Sequence, residues 1–374
     1  MHLPFTHPAC ELLSHCKGSI KCLILQKICR GRRDWLSLSI NIKLFTCPMR
    51  KVSGVFAAIV VLIFACTPEE NNSGKTDDGK DKTVHVTGIS LDKTSLDLVI
   101  GETYTFVAAI SPDNASDKNL EWLIDGNSVA TLKDGLVTAV AKGKAVITVS
   151  AKDGSGVSAT CNVVVSIPCP TGAVDMGFHS SEGYRIYWAT CNVGASLPED
   201  FGGLFAWGET SSKNDYTWDT YKWANGSETS LTKYNTDAAS GTKDDLTTLE
   251  AEDDVASIIL GNPWRMPTSK ELQELVDNCD TEISDVNGHI CWEFKSKKNG
   301  ACIYFPLSGW YNGTKIVASS AAGHYWSASI YDQNSRSAVT LCLWNPEVNK
   351  TDTPNILIDG AKRYYGRSVR PMAE

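Results

Sequence analysis

A basic footprint is missing from this chain. Its 35 Lys and Arg stand against 43 Asp and Glu, a net charge of −8 with a pI near 5.5, which argues against nucleic acid as a partner. The short signatures of catalysis are missing too. There is no G-x-S-x-G element to present a serine nucleophile and no Walker or dinucleotide glycine loop. Beyond residue 66 the histidines are His85, His179, His289 and His324, and no two of them lie three or four residues apart, which leaves out the zinc-helix motifs. The apolar run Val55–Ala65 (VFAAIVVLIFA) has 11 residues, about half of the roughly 20 that a spanning helix needs. What is present is a globular composition, 42% apolar and 21% charged with a mean hydropathy of −0.16. The length of 374 residues suits two domains and their flanks.

Arg50 and Lys51 precede the short apolar run, and small Ala65 stands before Cys66, the layout of a signal peptide over residues 49–66. Ile63-Phe64-Ala65-Cys66 resembles a bacterial lipobox, with isoleucine where leucine is usual; the resemblance implies that Cys66 is acylated after cleavage. Residues 1–48 then lie ahead of a complete signal peptide that begins at Met49, and read as a misassigned start or as a cleaved extension. Their five cysteines form no zinc pattern. Residues 1–66 carry nine Lys/Arg and two Asp/Glu, a net +7, which leaves a charge of −15 on residues 67–374. Residues 67–83 (TPEENNSGKTDDGKDKT) have nothing to bury and read as a flexible tether, with a reach of about 55 Å at roughly 3.3 Å per residue. Glu69 and Glu70 after the cysteine resemble the acidic surface-export signal of lipoproteins in the Bacteroides group. The implied address is the outer membrane, lipid-anchored and facing outward, with a periplasmic face as the alternative.

From residue 84 to 167 the pattern alternates. Leu96, Leu98 and Ile100, then Tyr104, Phe106, Ala108 and Ile110, later Ala145, Ile147 and Val149, and finally Cys161, Val163 and Val165 recur at every second position between turn signals such as Asp125-Gly126 and Asp153-Gly154. Period two over short runs means strands with one buried face, and some seven of them predict a β-sandwich. Trp122 is expected in its core. VTGISLDKTSLDLVIGETYTFVAAISP, LEWLIDGNSVATL, DGLVTAVAKGKAVITVSA and CNVVV resemble a bacterial immunoglobulin-like domain of group 2, which implies a spacer or stalk.

Residues 170–374 hold nine of the eleven tryptophans, with many Gly, Asn and Ser, and predict short strands joined by long loops. Two helices are expected. One covers Ala251–Leu260, opened by Glu252, Asp253 and Asp254, buried through Val255, Ile258 and Ile259, and stopped by Gly261. The other starts at Thr268, whose capping box ends at Glu271, with Leu272, Leu275 and Val276 inward. VDMGF, YWATCNVGAS, GGLFAWGET, GNPWRMPTSKELQEL, FPLSGW, YWSAS and GRSVRPM resemble, in order, the Fibrobacter succinogenes major paralogous domain, which is similar to the C-type-lectin-like fold. The fold class expected for the chain is therefore mainly β with an α+β C-terminal part, an immunoglobulin-like sandwich followed by a lectin-like domain. Formylglycine-generating relatives use a cysteine pair near the domain's end; Cys342 stands alone there, so that activity is not carried over.

Candidate sites follow from residue chemistry. Trp310-Tyr311-Asn312-Gly313 and Tyr331-Asp332-Gln333-Asn334 set aromatics beside hydrogen-bonding side chains in expected loops, and Trp344-Asn345 adds a third place. A flat ring with a polar neighbour suits a sugar or a protein surface. The binding residues expected are Trp310, Tyr311, Tyr331, Asp332, Asn334, Trp344 and Asn345, weighed against the reading that most tryptophans, Trp264, Trp310 and Trp326 among them, are core. Arg265 and Arg370 read as structural ties. Asp253 and Asp254 are neighbours that point different ways, and Asp244-Asp245 reads as a solvated loop, so no catalytic carboxylate pair is assigned. No cofactor is expected. Trp344-Asn345-Pro346-Glu347 has residue types suited to calcium in an unusual order, and no metal ligand is assigned. Seven cysteines follow Cys66, an odd number; Cys279 and Cys291 are the local pair suited to a disulfide in an oxidising envelope. The expectation is a non-catalytic surface lipoprotein whose head binds glycan or an extracellular protein. A polysaccharide-active enzyme and a structural or pilus-associated component are the alternatives.

Overall fold

Alternation becomes strands wherever it was strongest. β1 (Gly88–Leu91), β2 (Ser95–Val99), β3 (Thr103–Thr105), β4 (Ala108–Ser111), β5 (Leu120–Asp125), β6 (Ala130–Lys133), β7 (Leu136–Ala139), β8 (Gly143–Ala151) and β9 (Ser158–Ser166) build the first module. The structure is a computed structural model that describes residues 83–350 and 354–374. They belong to the second of two compact units, Met1–Asp77 and Asp78–Glu374. The readings placed on residues 1–82, Cys66 and the signal peptide among them, lie outside the described residues.

The module is a sandwich of a sheet ordered β2-β9-β8-β5, a sheet ordered β3-β7-β6 and a β1-β4 ribbon. β2 runs parallel to β9 and the other pairs are antiparallel. Ala145 and Ile147 of β8 and Cys161, Val163 and Val165 of β9 face the core, where they meet Leu98, Phe106 and Val137, and Val149 of β8 is buried too. Fully burying such aliphatic side chains contributes roughly 1.5–3 kcal/mol each. Trp122 lies at the core's edge with its ring stacked 5.9 Å from Phe106. Ile100, expected inward, falls just beyond β2 and is exposed. The described residues of this module form nine strands rather than seven, because β1 and β4 pair as a ribbon of their own.

The head begins with β10 (Ala173–His179) and β11 (Arg185–Ala189), then runs through loops with short 3₁₀ turns to α1 (Val255–Leu260), β12 (Trp264–Arg265) and α2 (Ser269–Asn278). β13 (Cys279–Val286), β14 (His289–Ser296) and β15 (Cys302–Pro306) form one antiparallel sheet, and β16 (Trp310–Asn312) with β17 (Lys315–Val317) a small hairpin. β18 (Ala322–Ile330), β19 (Ser337–Trp344) and β20 (Ile356–Lys362) form another sheet. β21 (Met372–Ala373) returns between β11 and β12. Two cores result. One gathers Phe178, Trp188, Leu272, Leu275, Phe294 and Phe305, and the other Trp207, Tyr234, Val255, Met266, Trp326 and Val369.

Guanidinium groups hold the long loops. Arg363 donates to Tyr221 Oη (2.9 Å) and to the carbonyls of Lys233 (3.0 Å), Tyr234 and Ser335 (both 3.1 Å). Arg370 donates to Asn192 Oδ1 and to the carbonyls of Ala189, Thr190 and Tyr304. Both are fully buried. A planar fork with five donors can tie several strands of irregular backbone at once, which makes Arg370 the structural tie expected of it.

The first expected helix is corrected. Ala251–Asp253 is a 3₁₀ turn and α1 starts only at Val255. The Asp254 carboxylate ends the turn by accepting the amides of Ala256 (2.8 Å), Ser257 (3.1 Å) and Met266 (2.7 Å), an N-cap that fixes the helix start. Six residues offer too little face for the expected stripe: Val255 and Ala256 are buried, whereas Ile258, Ile259 and Leu260 are 54%, 48% and 43% exposed. Gly261 ends α1 at φ 74°. α2 has the expected capping box, Thr268 Oγ1 accepting the Glu271 amide and Glu271 Oε2 accepting that of Thr268.

Candidate functional site

Two adjoining clefts, of about 680 Å³ and 330 Å³, share Ser269, Lys270 and Asp332 as lining residues. Both volumes are in the range of small-ligand sites. The larger is walled by the β10–β11 turn (His179–Glu182), Thr247 and Thr248, the first turns of α2, Ser329 and Glu374. Segment 247–249 lies along the end of β18, through the Leu249 amide to Ala328 O and the Ile330 amide to Thr247 O, both 2.9 Å. The smaller is bounded by Tyr331, Asp332, Gln333, Ile358 and Asp359.

Most charges in the larger cleft already have partners. Arg265 makes a bidentate pair with Glu271 (2.6 and 2.8 Å) and reaches Glu374 (2.9 Å). Burial works to raise the Glu271 carboxyl, but Arg265 and the Thr268 donors hold it below its ordinary value. Glu274 pairs with Lys298 and Glu182 with Lys144. Among the described residues Lys270 and Asp332 line both clefts without an ion-pair partner. The start of α2 is largely satisfied internally, since the Ser269 amide donates to Ser329 Oγ (3.1 Å). Lys270 and Asp332, rather than the helix dipole, are the charged groups both clefts offer without an ion-pair partner.

Tyr331 is placed by a glycine. A Cβ on Gly360 would lie 2.6 Å from the Tyr331 ring, closer than packed atoms approach, so the ring lies against bare backbone of β20. It is half-buried there and borders the smaller cleft. Asn334 serves the turn instead: its amide donates to Tyr331 O and its Oδ1 accepts the Arg336 amide.

The remaining residues predicted from sequence lie elsewhere. Trp344 ends β19, which carries it about 23 Å from the Tyr331 turn at roughly 3.3 Å per residue. Trp310 and Trp344 are half-buried and flank His324, with ring centroids 4.5 and 5.5 Å from it and 6.1 Å from each other, all edge-to-face. Beneath them Arg367 donates to His324 Nδ1 (3.0 Å) and Thr340 Oγ1 (2.9 Å), and its guanidinium packs on the Trp326 ring. Burial, then the Arg367 charge, pushes the His324 pKa well down. Asn345 is buried and accepts the Glu347 amide, a turn contact. Tyr311 stacks on Tyr216 (5.1 Å, 11°) beside a third cleft of about 390 Å³. The seven residues thus divide among three places, and only Tyr331 and Asp332 share the main clefts. Lys270 and Ser269 were missed. Their signal was the capping box, which marked a helix start without marking it as a cleft wall.

One further reading changes. Cys279 and Cys291 do not pair. In the β13–β14 ladder Cys279 faces Ser296 while Cys291 faces Ser284, a five-residue offset worth about 17 Å along the strands, far beyond the roughly 7 Å limit of a disulfide. All seven cysteines of the described residues are free. Glu250, Glu252 and Asp253 converge as a cation site would. Lys233 fills it, its ammonium 2.5, 3.4 and 2.7 Å from the three carboxylates. Asp253, buried, is held below its ordinary pKa by Lys233, Tyr234 and Lys222 against the effect of burial.

Residues 85–163 match the Bacterial Ig-like domain (group 2) family, so the first module is an immunoglobulin-like domain of that group. Two uncharacterized proteins of Clostridium acetobutylicum are similar over part of this chain. One is 42% identical over 80 residues, 21% of this chain and 20% of its own length. The other is 37% identical over 84 residues, 22% and 9%. The chain therefore spans a fifth or less of these curated relatives. Among solved structures, domains 1–6 of surface layer protein SbsC align at 11% identity over 62% of this chain and 25% of that one, with a TM-score of 0.20, too low to relate the folds.

Proposed function

We propose that this chain is a non-catalytic cell-surface protein whose C-terminal head binds glycan in the paired clefts at the start of α2. In this reading the head is a lectin-like domain of the Fibrobacter succinogenes major paralogous type, and the lipid on Cys66 anchors the protein to the outer membrane, facing outward. The observation that carries it is that Lys270 and Asp332 line both clefts and Tyr331 lines the smaller one beside them. A ring held flat against backbone offers a face to the C–H side of a pyranose, and one carboxylate and one ammonium bond its hydroxyls. A neutral, hydroxyl-rich ligand matches lining charges that are otherwise paired.

Catalysis on polysaccharide would call for two converging carboxylates. Asp253 turns to Lys222 and Lys233, and Asp254 to backbone amides. A second reading, attachment to an extracellular protein or a structural role in a surface assembly, is favoured by the exposed triplet Ile258, Ile259 and Leu260. A glycan array probed with residues 83–374, in calcium and then in chelator, tests the first reading. Saturable binding lost in Asp332→Ala supports it. A blank array from folded protein transfers the weight to the second, and chelator sensitivity would add a metal to the site.

A further inference from the structure

The wall of the larger cleft is held from outside the head. His179, Ser180, Ser181, Glu182 and Glu374 line that wall, and the immunoglobulin-like module bonds to three of these five. Asp97 of β2 accepts Arg185 Nε (2.9 Å) and lies 3.1 Å from His179 Nε2 through one oxygen, while its other oxygen is buried without a partner. Lys142 donates to the main-chain oxygen of Glu374 (3.0 Å) and lies 4.5 Å over the Tyr184 ring. Lys144 lies over the same ring and pairs with Glu182 at 3.7 Å. Backbone joins in: the Arg185 amide donates to the buried Ser166 Oγ (2.9 Å), and Tyr187 Oη to Ile167 O (2.8 Å).

A stalk that only spaces a head from a membrane has no need of this arrangement. The exposed Lys144–Glu182 pair contributes little by itself. The Asp97 carboxylate is different, because one of its oxygens meets both Arg185 and His179 while its side chain is only 34% exposed. Within the wall, the Ser180 amide donates to Tyr184 O and that of Gly183 to Ser180 O, both 2.8 Å, and Ser180 Oγ reaches Glu374 Oε1 at 3.3 Å. The turn and Glu374 are thus tied to each other and both are tied to the module.

We propose that the immunoglobulin-like module is a buttress of the cleft: Asp97 and Lys142 are positioning residues that hold the His179–Arg185 turn and Glu374 in place, so that module and head form one binding unit. Its functional meaning rests on the glycan reading of the cleft; its structural half does not.

Hydrogen exchange on the full chain tests it. In Asp97→Ala/Lys142→Ala, peptides covering 180–185 exchange about tenfold faster or more, as expected when a locally protected segment loses its anchors. Peptides covering 145–149 and 272–276, in the two cores, keep the exchange of the unaltered chain. Asp97→Asn, which keeps an acceptor for Arg185, restores part of the protection, an effect that general destabilisation does not produce. If the double variant loses protection everywhere, Lys142→Ala alone decides. Acceleration confined to the wall supports the buttress, and unchanged exchange at 180–185 in a folded variant overturns it. Asp332→Ala leaves the wall's exchange unchanged, so a failed glycan reading and a failed buttress give different results.

Discussion

His324 makes the protein acid-sensitive in a calculable way. It is 3% exposed on β18, opposite Cys342 of β19. Its Nδ1 accepts Arg367 and lies 3.2 Å from the Cys342 sulfur, and its Nε2 has no hydrogen-bond partner between the two tryptophan rings. Protonation would bury a second positive charge beside the Arg367 guanidinium, so burial and that charge lower its pKa well below 6.5. Between the unfolded and the folded pKa, only the unfolded chain takes up the proton. Stability is therefore complete above about pH 6.5 and falls as pH falls, by up to about 1.4 kcal/mol per unit. Between pH 7.5 and pH 5 the loss is at most about 2 kcal/mol. Urea unfolding followed by tryptophan fluorescence at pH 7.5 and pH 5 measures it. His324→Gln keeps an acceptor for Arg367 and removes the titration. Its stability is lower at both pH values, but the difference between them shrinks, by at most about 2 kcal/mol, relative to the unaltered chain. Equal pH dependence in the two proteins would refute a buried neutral imidazole.

Three other outcomes are expected. Gly360→Ala drives a methyl into the Tyr331 ring, lowering stability by about 1–3 kcal/mol and weakening any ligand of the smaller cleft; unchanged melting and binding would show that the ring is not packed on Gly360. Thr268→Ala removes one half of the α2 capping box at a cost of about 0.5–2 kcal/mol, read as a lower denaturation midpoint. Titration of thiols in denaturant finds Cys279 and Cys291 both reactive without prior reduction, and their resistance until reductant is added would restore the rejected pairing.

How much of this was legible depends on how local each signal is. Ala145, Ile147, Val149 and Cys161, Val163, Val165 announce their strands because period two is carried by neighbours and one face of each is buried. Thr268 and Glu271 announce α2 because both halves of a capping box lie within one turn. The start of α1 was misread because Asp254 is caught by the amide of Met266, twelve residues on. Choosing Tyr331, Asp332 and Trp344 from loop chemistry was feasible, but which of them meet is decided by the length of β19, which separates the last from the first two. Cys279 and Cys291 failed for a related reason: twelve residues apart suits a local bridge, but a hairpin whose turn falls at 287–288 sets them in different rungs. Lys270 carried no signal beyond its place on a helix, and only in the fold does it line the same clefts as Asp332.

The most direct test of the central claim is the affinity of residues 83–374 for the strongest glycan from the array, measured by calorimetry for the unaltered protein, Tyr331→Ala, Asp332→Ala and Trp344→Ala. Loss of a charge-assisted hydrogen bond is worth about 1.5–3 kcal/mol, so Asp332→Ala weakens binding by at least about tenfold. Tyr331→Ala weakens it as well, and Trp344→Ala, at the far end of β19, leaves it within about twofold. The opposite pattern, with binding lost in Trp344→Ala and kept in Tyr331→Ala and Asp332→Ala, would contradict the account and place the site at the Trp310–Trp344 pair.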